Sequence, residues 1–140
     1  MKKQLMIMIM VLGGIVVADR SLAQAQIVGR LKADIPFSFY AGGKHFSAGA
    51  YTVTMKDLGA GLMEIRRDDG TSSAFFLTED RQAKSDPASS ELIFNKYGET
   101  IFLSRVIEEG SRDGAQAFKS TLEKRIERGE DVEKLAIALR

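Results

Sequence analysis

Two features limit the chemistry that the sequence can support, namely a single histidine and the lack of cysteine. Without cysteine there are no disulfides, thiolate metal sites or thiol nucleophiles, and one imidazole excludes sites that need two. His45 follows Gly42-Gly43-Lys44, and neither a serine nucleophile motif nor a second metal ligand lies at a suitable spacing. We therefore interpret His45 as a histidine of a surface turn. The Gly-Gly-Lys segment also lacks the residue spacing of a phosphate-binding loop.

The acidic residues of most interest occur as three adjacent pairs, Asp68-Asp69, Glu79-Asp80 and Glu108-Glu109. Two carboxylates held about 5–9 Å apart in a cleft can hydrolyse glycosidic bonds. Adjacent strand residues point to opposite faces, so these pairs do not form such a site by spacing alone. Turn geometry explains Asp68-Asp69, and segment 108–114 lacks the ligand spacing of a calcium loop. The sequence thus predicts no catalytic, cofactor-binding or metal-binding residue, and no cofactor.

The first 25 residues have the pattern of a secretory signal peptide. Lys2 and Lys3 precede an uncharged apolar run over residues 5–18, and a stretch of small residues follows it. Cleavage is expected after Ala23 or Ala25, where small side chains occupy the required positions. The apolar run is shorter than the roughly 20 residues that a membrane-spanning helix needs. We therefore expect export to the periplasm or the extracellular medium, with no transmembrane span after cleavage.

The charge balance bears on the class of partner. The whole chain has 20 basic and 19 acidic residues and a net charge of +1. Removal of residues 1–25 takes away three basic residues and one acidic residue, which leaves 17 against 18 and a net charge of −1. Nucleic acid is therefore not an expected partner, because no basic excess remains to bind phosphates.

The segment from Ile27 to Phe39 alternates apolar and polar residues. A period of two predicts a strand with one buried face and one solvated face. Pro36 cannot donate to a strand ladder, so we expect a bend and two consecutive strands rather than one. The alternation resumes at Tyr51 and Val53.

Two turn signals predict β-hairpins. Asp69-Gly70 lies between apolar runs and favours a type I′ turn, which needs positive φ at both central residues. A second turn is expected at Tyr97-Gly98. The cross-strand pairs that follow are Ile65 with Ala74 and Met63 with Phe76 in the first hairpin, and Phe94 with Ile101 and Leu92 with Leu103 in the second.

A helix is expected over residues of about 114–128. Phe118, Leu122 and Ile126 recur at i, i+4 and i+8, and Gly129 follows where a helix commonly ends. We expect this apolar stripe to pack on the β layer and to bury Phe118. Residues 131–140 fit either a helix or a strand, and the helix is the preferred interpretation.

Several segments together resemble a family of small secreted bacterial proteins of the acidobacterial type, which are β-rich and of unassigned function. The segments that carry the resemblance are Ile35-Pro36-Phe37-Ser38-Phe39, Gly43-Lys44, Ala48-Gly49-Ala50-Tyr51-Thr52-Val53, Phe94-Asn95-Lys96-Tyr97-Gly98 and Ile101-Phe102-Leu103. The resemblance covers residues of about 27–126 and implies a β-rich fold and export. It carries no catalytic residue.

The patterns predict a mainly β domain over residues 26–140, which its one helix would place in the α+β class. We expect an antiparallel β-sandwich or small barrel of six or seven strands with a C-terminal amphipathic helix. The preferred function is a non-enzymatic envelope or extracellular domain that binds an unidentified partner or ligand through its loops. One alternative is a small β-barrel carrier of an apolar ligand, which needs interior room. The other is a hydrolase that uses carboxylates alone.

Overall fold

The computed structural model describes residues 30–83 and 85–140, and this part of the chain contains ten strands and one short helix. The predicted signal peptide and its cleavage sites lie outside the described residues. The strands are β1 (Arg30–Ile35), β2 (Phe39–Ala41), β3 (Lys44–Phe46), β4 (Gly49–Asp57), β5 (Leu62–Arg67), β6 (Ser73–Gln82), β7 (Glu91–Tyr97), β8 (Thr100–Ile107), β9 (Asp113–Ala117) and β10 (Val132–Ala138). The helix, α1, spans Thr121–Ile126 and lies between β9 and β10.

The strands form two layers that share β6. In the first layer β1, β4, β5 and the first half of β6 are antiparallel neighbours. In the second layer the second half of β6 pairs with β9, and β8, β7 and β10 follow in that order. The short β2–β3 hairpin joins the second layer through a parallel contact between Tyr40 and Phe102. The mainly β fold is confirmed, with ten strands among the described residues rather than six or seven.

The sheet does not close into a barrel, although its two ends approach each other. Lys32 of β1 and Arg140, just after β10, exchange two backbone hydrogen bonds of 3.2 and 2.9 Å. These bonds join the outer strands at one residue pair only. Of the two architectures left open by the sequence, the sandwich therefore describes the structure.

The core between the two layers centres on Phe39. Its ring lies 5.2 Å from Tyr51, 5.3 Å from Phe46 and 5.5 Å from Phe94, measured between centroids. All four rings are buried, and full burial of such a side chain contributes about 1.5–3 kcal/mol. The expected break at Pro36 is confirmed, because β1 ends at Ile35 and β2 begins at Phe39. That break carries the chain from the first layer to the second.

The hairpin at Asp69-Gly70 has the expected register but another turn type. Ile65 faces Ala74 and Met63 faces Phe76, as predicted. Only Gly70 has positive φ, at 77°, which contradicts a type I′ turn. The Gly70 amide donates to the carbonyl of Arg67, and the Asp69 carboxylate accepts hydrogen bonds from the amide and hydroxyl of Thr71. The aspartate therefore stabilises the turn through its side chain, which needs no positive φ.

The register predicted for the second hairpin is wrong. The turn consists of Gly98 and Glu99, so Tyr97 faces Thr100. Glycine takes the first central position with φ of 61°, as a type II′ turn requires. In this register Phe94 faces Leu103 instead of Ile101. An irregularity between Ile93 and Phe94 then shifts the register, so that Leu92 faces Val106 instead of Leu103.

The C-terminal expectations are corrected in three respects. Residues 113–117 form β9 rather than the start of the helix, because β6 and β8 pair with this segment from both sides. Residues 132–138 form β10 rather than a helix, and they complete the ladder of β7. Phe118 is 60% exposed, so its expected burial is wrong. Its amide donates to the carbonyl of Leu77, which keeps the backbone at the edge of the sheet and outside the helix.

The turn geometry predicts a cost for replacing Gly70. We expect Gly70→Val to lower the free energy of unfolding by roughly 1–3 kcal/mol, because a side chain strains a backbone with positive φ. A Cβ at Gly70 would meet no atom within 4 Å, so backbone strain is the only contribution from the folded state. Chemical denaturation measures the effect.

Gly129→Val is the matched control, since a Cβ there also meets open space and the residue has no positive φ. Equal losses in the two variants would contradict the role of φ at Gly70.

Candidate functional site

An open groove of about 730 Å³ lies between α1, β6, the end of β9 and the turn that joins β2 to β3. Its position follows from the path of β6, which pairs with β5 up to Leu77 and with β9 from Thr78 onward. The turn approaches β6 so closely that a Cβ on Gly42 would lie 2.4 Å from the carbonyl oxygen of Phe75. A glycine is therefore required at this wall of the groove.

The lining of the groove is mainly apolar. Tyr40 and Phe102 are stacked with centroids 5.2 Å apart, held side by side by the parallel pairing of β2 and β8. Three further lining residues are large, apolar and exposed, namely Phe75 at 55%, Leu77 at 52% and Phe118 at 60%. Each of them forgoes about half of the roughly 1.5–3 kcal/mol that full burial would contribute. Exposed apolar side chains gathered in one place mark a binding surface.

One end of the groove holds a buried carboxylate. Glu123 of α1 lines the groove and is only 3% exposed. Its Oε2 atom accepts a hydrogen bond of 3.0 Å from the Asn95 side-chain amide and another of 3.0 Å from the Tyr97 hydroxyl. Lys134 of β10 donates in turn to the Asn95 side-chain carbonyl. The polar cluster, as we call Asn95, Tyr97, Glu123 and Lys134, thus joins α1 to β7 and β10.

The local sequence places Glu123 at this position. Ser120 is the N-cap of α1, and its hydroxyl oxygen accepts a hydrogen bond of 3.2 Å from the backbone amide of Glu123. Ser120 and Glu123 have the spacing of a capping box, in which the glutamate usually returns to the amide of the cap. Here the recorded partners of the carboxylate are Asn95 and Tyr97 instead. The helix start therefore aims the carboxylate at the sheet.

The environment of the cluster changes two pKa values. Burial, together with the hydrogen bond to Glu123 and its charge, raises the pKa of Tyr97 above its ordinary value. Burial also lowers the pKa of Lys134, and the nearby cations Lys119, Arg105 and Arg81 add to this effect. The Tyr97 phenol consequently stays protonated at neutral pH and remains a hydrogen-bond donor to the carboxylate.

The residues considered from the sequence lie elsewhere. His45 is exposed on β3, edge to face with Tyr40 at 5.0 Å, and does not line the groove. Asp69 stabilises its turn, and Glu79 and Asp80 are exposed on β6. Within the described ranges, no group of three or more histidine or acidic residues is placed to hold a metal ion. The same ranges contain no helix long and apolar enough to cross a membrane.

The sequence analysis missed the polar cluster, although two signals for it are present. One is the capping-box spacing of Ser120 and Glu123. The other is the period of two in β7, which places Asn95 and Tyr97 on the face opposite the core residue Phe94. Since the charged residues of a short helix usually face solvent, neither signal by itself indicated a buried carboxylate.

The raised pKa of Tyr97 predicts a change in the phenolate titration of the protein. We expect Tyr97→Phe to remove absorbance change from the high-pH end of the curve. The buried phenol ionises at a higher pH than an ordinary tyrosine, whose pKa is about 10. In Glu123→Gln the same part of the curve should move to lower pH, because the variant removes the charge that helps to raise the pKa of Tyr97. An unchanged curve in Glu123→Gln would contradict the hydrogen bond to Glu123.

Comparison of the chain with protein-family models, with curated proteins and with solved structures found no match. The function is therefore inferred from the groove and the polar cluster.

Proposed function

We propose that this chain is a non-enzymatic domain, exported to the periplasm or the extracellular medium, that binds an apolar small molecule in the groove. The observation that carries the proposal is the exposure of Phe75, Leu77 and Phe118 around one concave surface. Export is supported by the basic and apolar pattern of residues 1–25.

The size and composition of the groove suit a small ligand. Its volume of about 730 Å³ falls within the roughly 300–1,000 Å³ of typical ligand sites. Such sites combine apolar walls with a few polar groups, and here the stacked rings of Tyr40 and Phe102 lie near the single carboxylate of Glu123. Aromatic faces give a ligand a large contact area at little cost in side-chain entropy.

The groove modifies the hypotheses that the sequence left open. Its walls are strands and a helix as well as one turn, so binding does not depend on loops alone. A carrier that uses the barrel interior is not supported, because the sheet is open and Phe39 with its neighbouring rings fills the core. A hydrolase that uses two carboxylates is not supported by the groove either, since Glu123 is the one acidic residue of its described lining.

Binding of octan-1-ol by isothermal calorimetry tests the proposal. We expect saturable binding to the wild type, and roughly three- to tenfold weaker binding to Phe118→Ala and to Leu77→Ala, since each variant removes several apolar carbons from the contact. Both residues are more than half exposed, so the melting temperatures of the two variants should differ from that of the wild type by less than about 4 °C.

Leu58→Ala is the matched control, because Leu58 is 47% exposed and does not line the groove. Absence of saturable binding, or an equal loss in the Leu58 variant, would contradict the proposed site.

A further inference from the structure

The carboxylate of Glu123 has unused capacity to accept hydrogen bonds. A carboxylate offers about four acceptor positions, and the two recorded bonds, from Asn95 and Tyr97, both go to Oε2. No described residue donates to Oε1. Oε1 is therefore free to accept a hydrogen bond from a bound molecule, which would replace water at this position.

The Oε1 atom is accessible from the groove. The fully enclosed side-chain atoms of the described part that lack a partner are Arg105 Nε and Gln116 Oε1, and Glu123 Oε1 is not among them. Oε1 therefore borders open space, and the space that Glu123 lines is the groove.

We infer that Glu123 binds a hydrogen-bond-donating polar end of the apolar ligand, and that a protonated primary amine fits best. The inference rests on the proposed function and names the class of ligand. Oε1 accepts an N–H of the ammonium group, while Asn95 and Tyr97 hold Oε2 and fix the direction of the carboxylate. The alkyl part of the ligand then lies along Phe102 and toward Phe118.

The surrounding charges favour a cation over an anion at this end of the groove. Glu123 is the one charged residue of the groove lining. The cations near the polar cluster are Lys134, Lys119, Arg105 and Arg81, and none of them lines the groove. Lys134 donates to Asn95, and Lys119 pairs with Glu127. An anionic ligand would meet the Glu123 carboxylate with no free cation in the lining to offset the repulsion. The tyrosine hydroxyl is also committed, because its proton is donated to Oε2.

Three ligands with the same alkyl chain test the inference, namely octylammonium, octan-1-ol and octanoate at pH 7. We expect octylammonium to bind the wild type at least roughly tenfold more tightly than octan-1-ol, as for a hydrogen bond to a charged group, and octanoate to bind most weakly. Glu123→Gln should remove the preference for octylammonium over octan-1-ol, because the variant has no charge to hold the ammonium group.

Glu99→Gln is the matched control, because it removes an exposed carboxylate from a residue that does not line the groove. This variant should keep the preference for octylammonium. An equal loss of preference in both variants would overturn the inference, since a general effect of charge would then explain the binding.

Octyltrimethylammonium gives a test in the wild type that does not depend on the folding of the Glu123 variant. It carries the same charge but has no N–H donor, so we expect it to bind at least roughly fivefold more weakly than octylammonium. Equal binding of the two cations, or no preference for octylammonium over octan-1-ol, overturns the inference while octan-1-ol binding sustains the proposed function. If none of these ligands binds, both fail.

Discussion

Strand β6 pairs with β5 through Leu77 and with β9 from Thr78 onward, so a single strand belongs to both layers of the sandwich. Because side chains alternate along a strand, Phe76 and Thr78 are buried, whereas Phe75 and Leu77 lie on the opposite face of β6 and are exposed. The turn at Gly42 approaches this part of β6, and the start of α1 lines the same groove. The groove therefore lies where β6 passes from one layer to the other.

The helix depends on the sheet in a way that differs from ordinary amphipathic packing. A helix of six residues is too short to be stable in isolation. Its one buried residue is Glu123, which is anchored by Asn95 and Tyr97. A buried charge that keeps its hydrogen-bond partners adds less to stability than apolar packing of the same volume. Its effect here is to fix where α1 lies, and with it the end of the groove.

Apolar and polar parts of the groove therefore have separate structural origins. The apolar walls come from the core-forming strands, where Phe102 lies next to Tyr40 because β2 and β8 are parallel neighbours. The polar end comes from a helix cap and from the face of β7 that lies opposite the core and contacts α1. This separation allows the apolar surface to be altered at Phe118 without loss of the carboxylate.

The sequence by itself determined the features that rest on neighbouring residues. Alternation placed Ile35 and Phe39 in the core, Pro36 separated two strands, and Asp69-Gly70 set the register of its hairpin, because each depends on local backbone preferences and on a period of two. Tertiary structure decided β9 and β10, since β9 pairs with β6 and β10 pairs with β7, and both partners are distant in sequence. It also decided that Glu123 is buried and Phe118 exposed. The apolar spacing of a helix shows which residues share a face. Which face packs against the sheet depends on the partners that the sheet presents, and here Asn95 and Tyr97 bind Glu123.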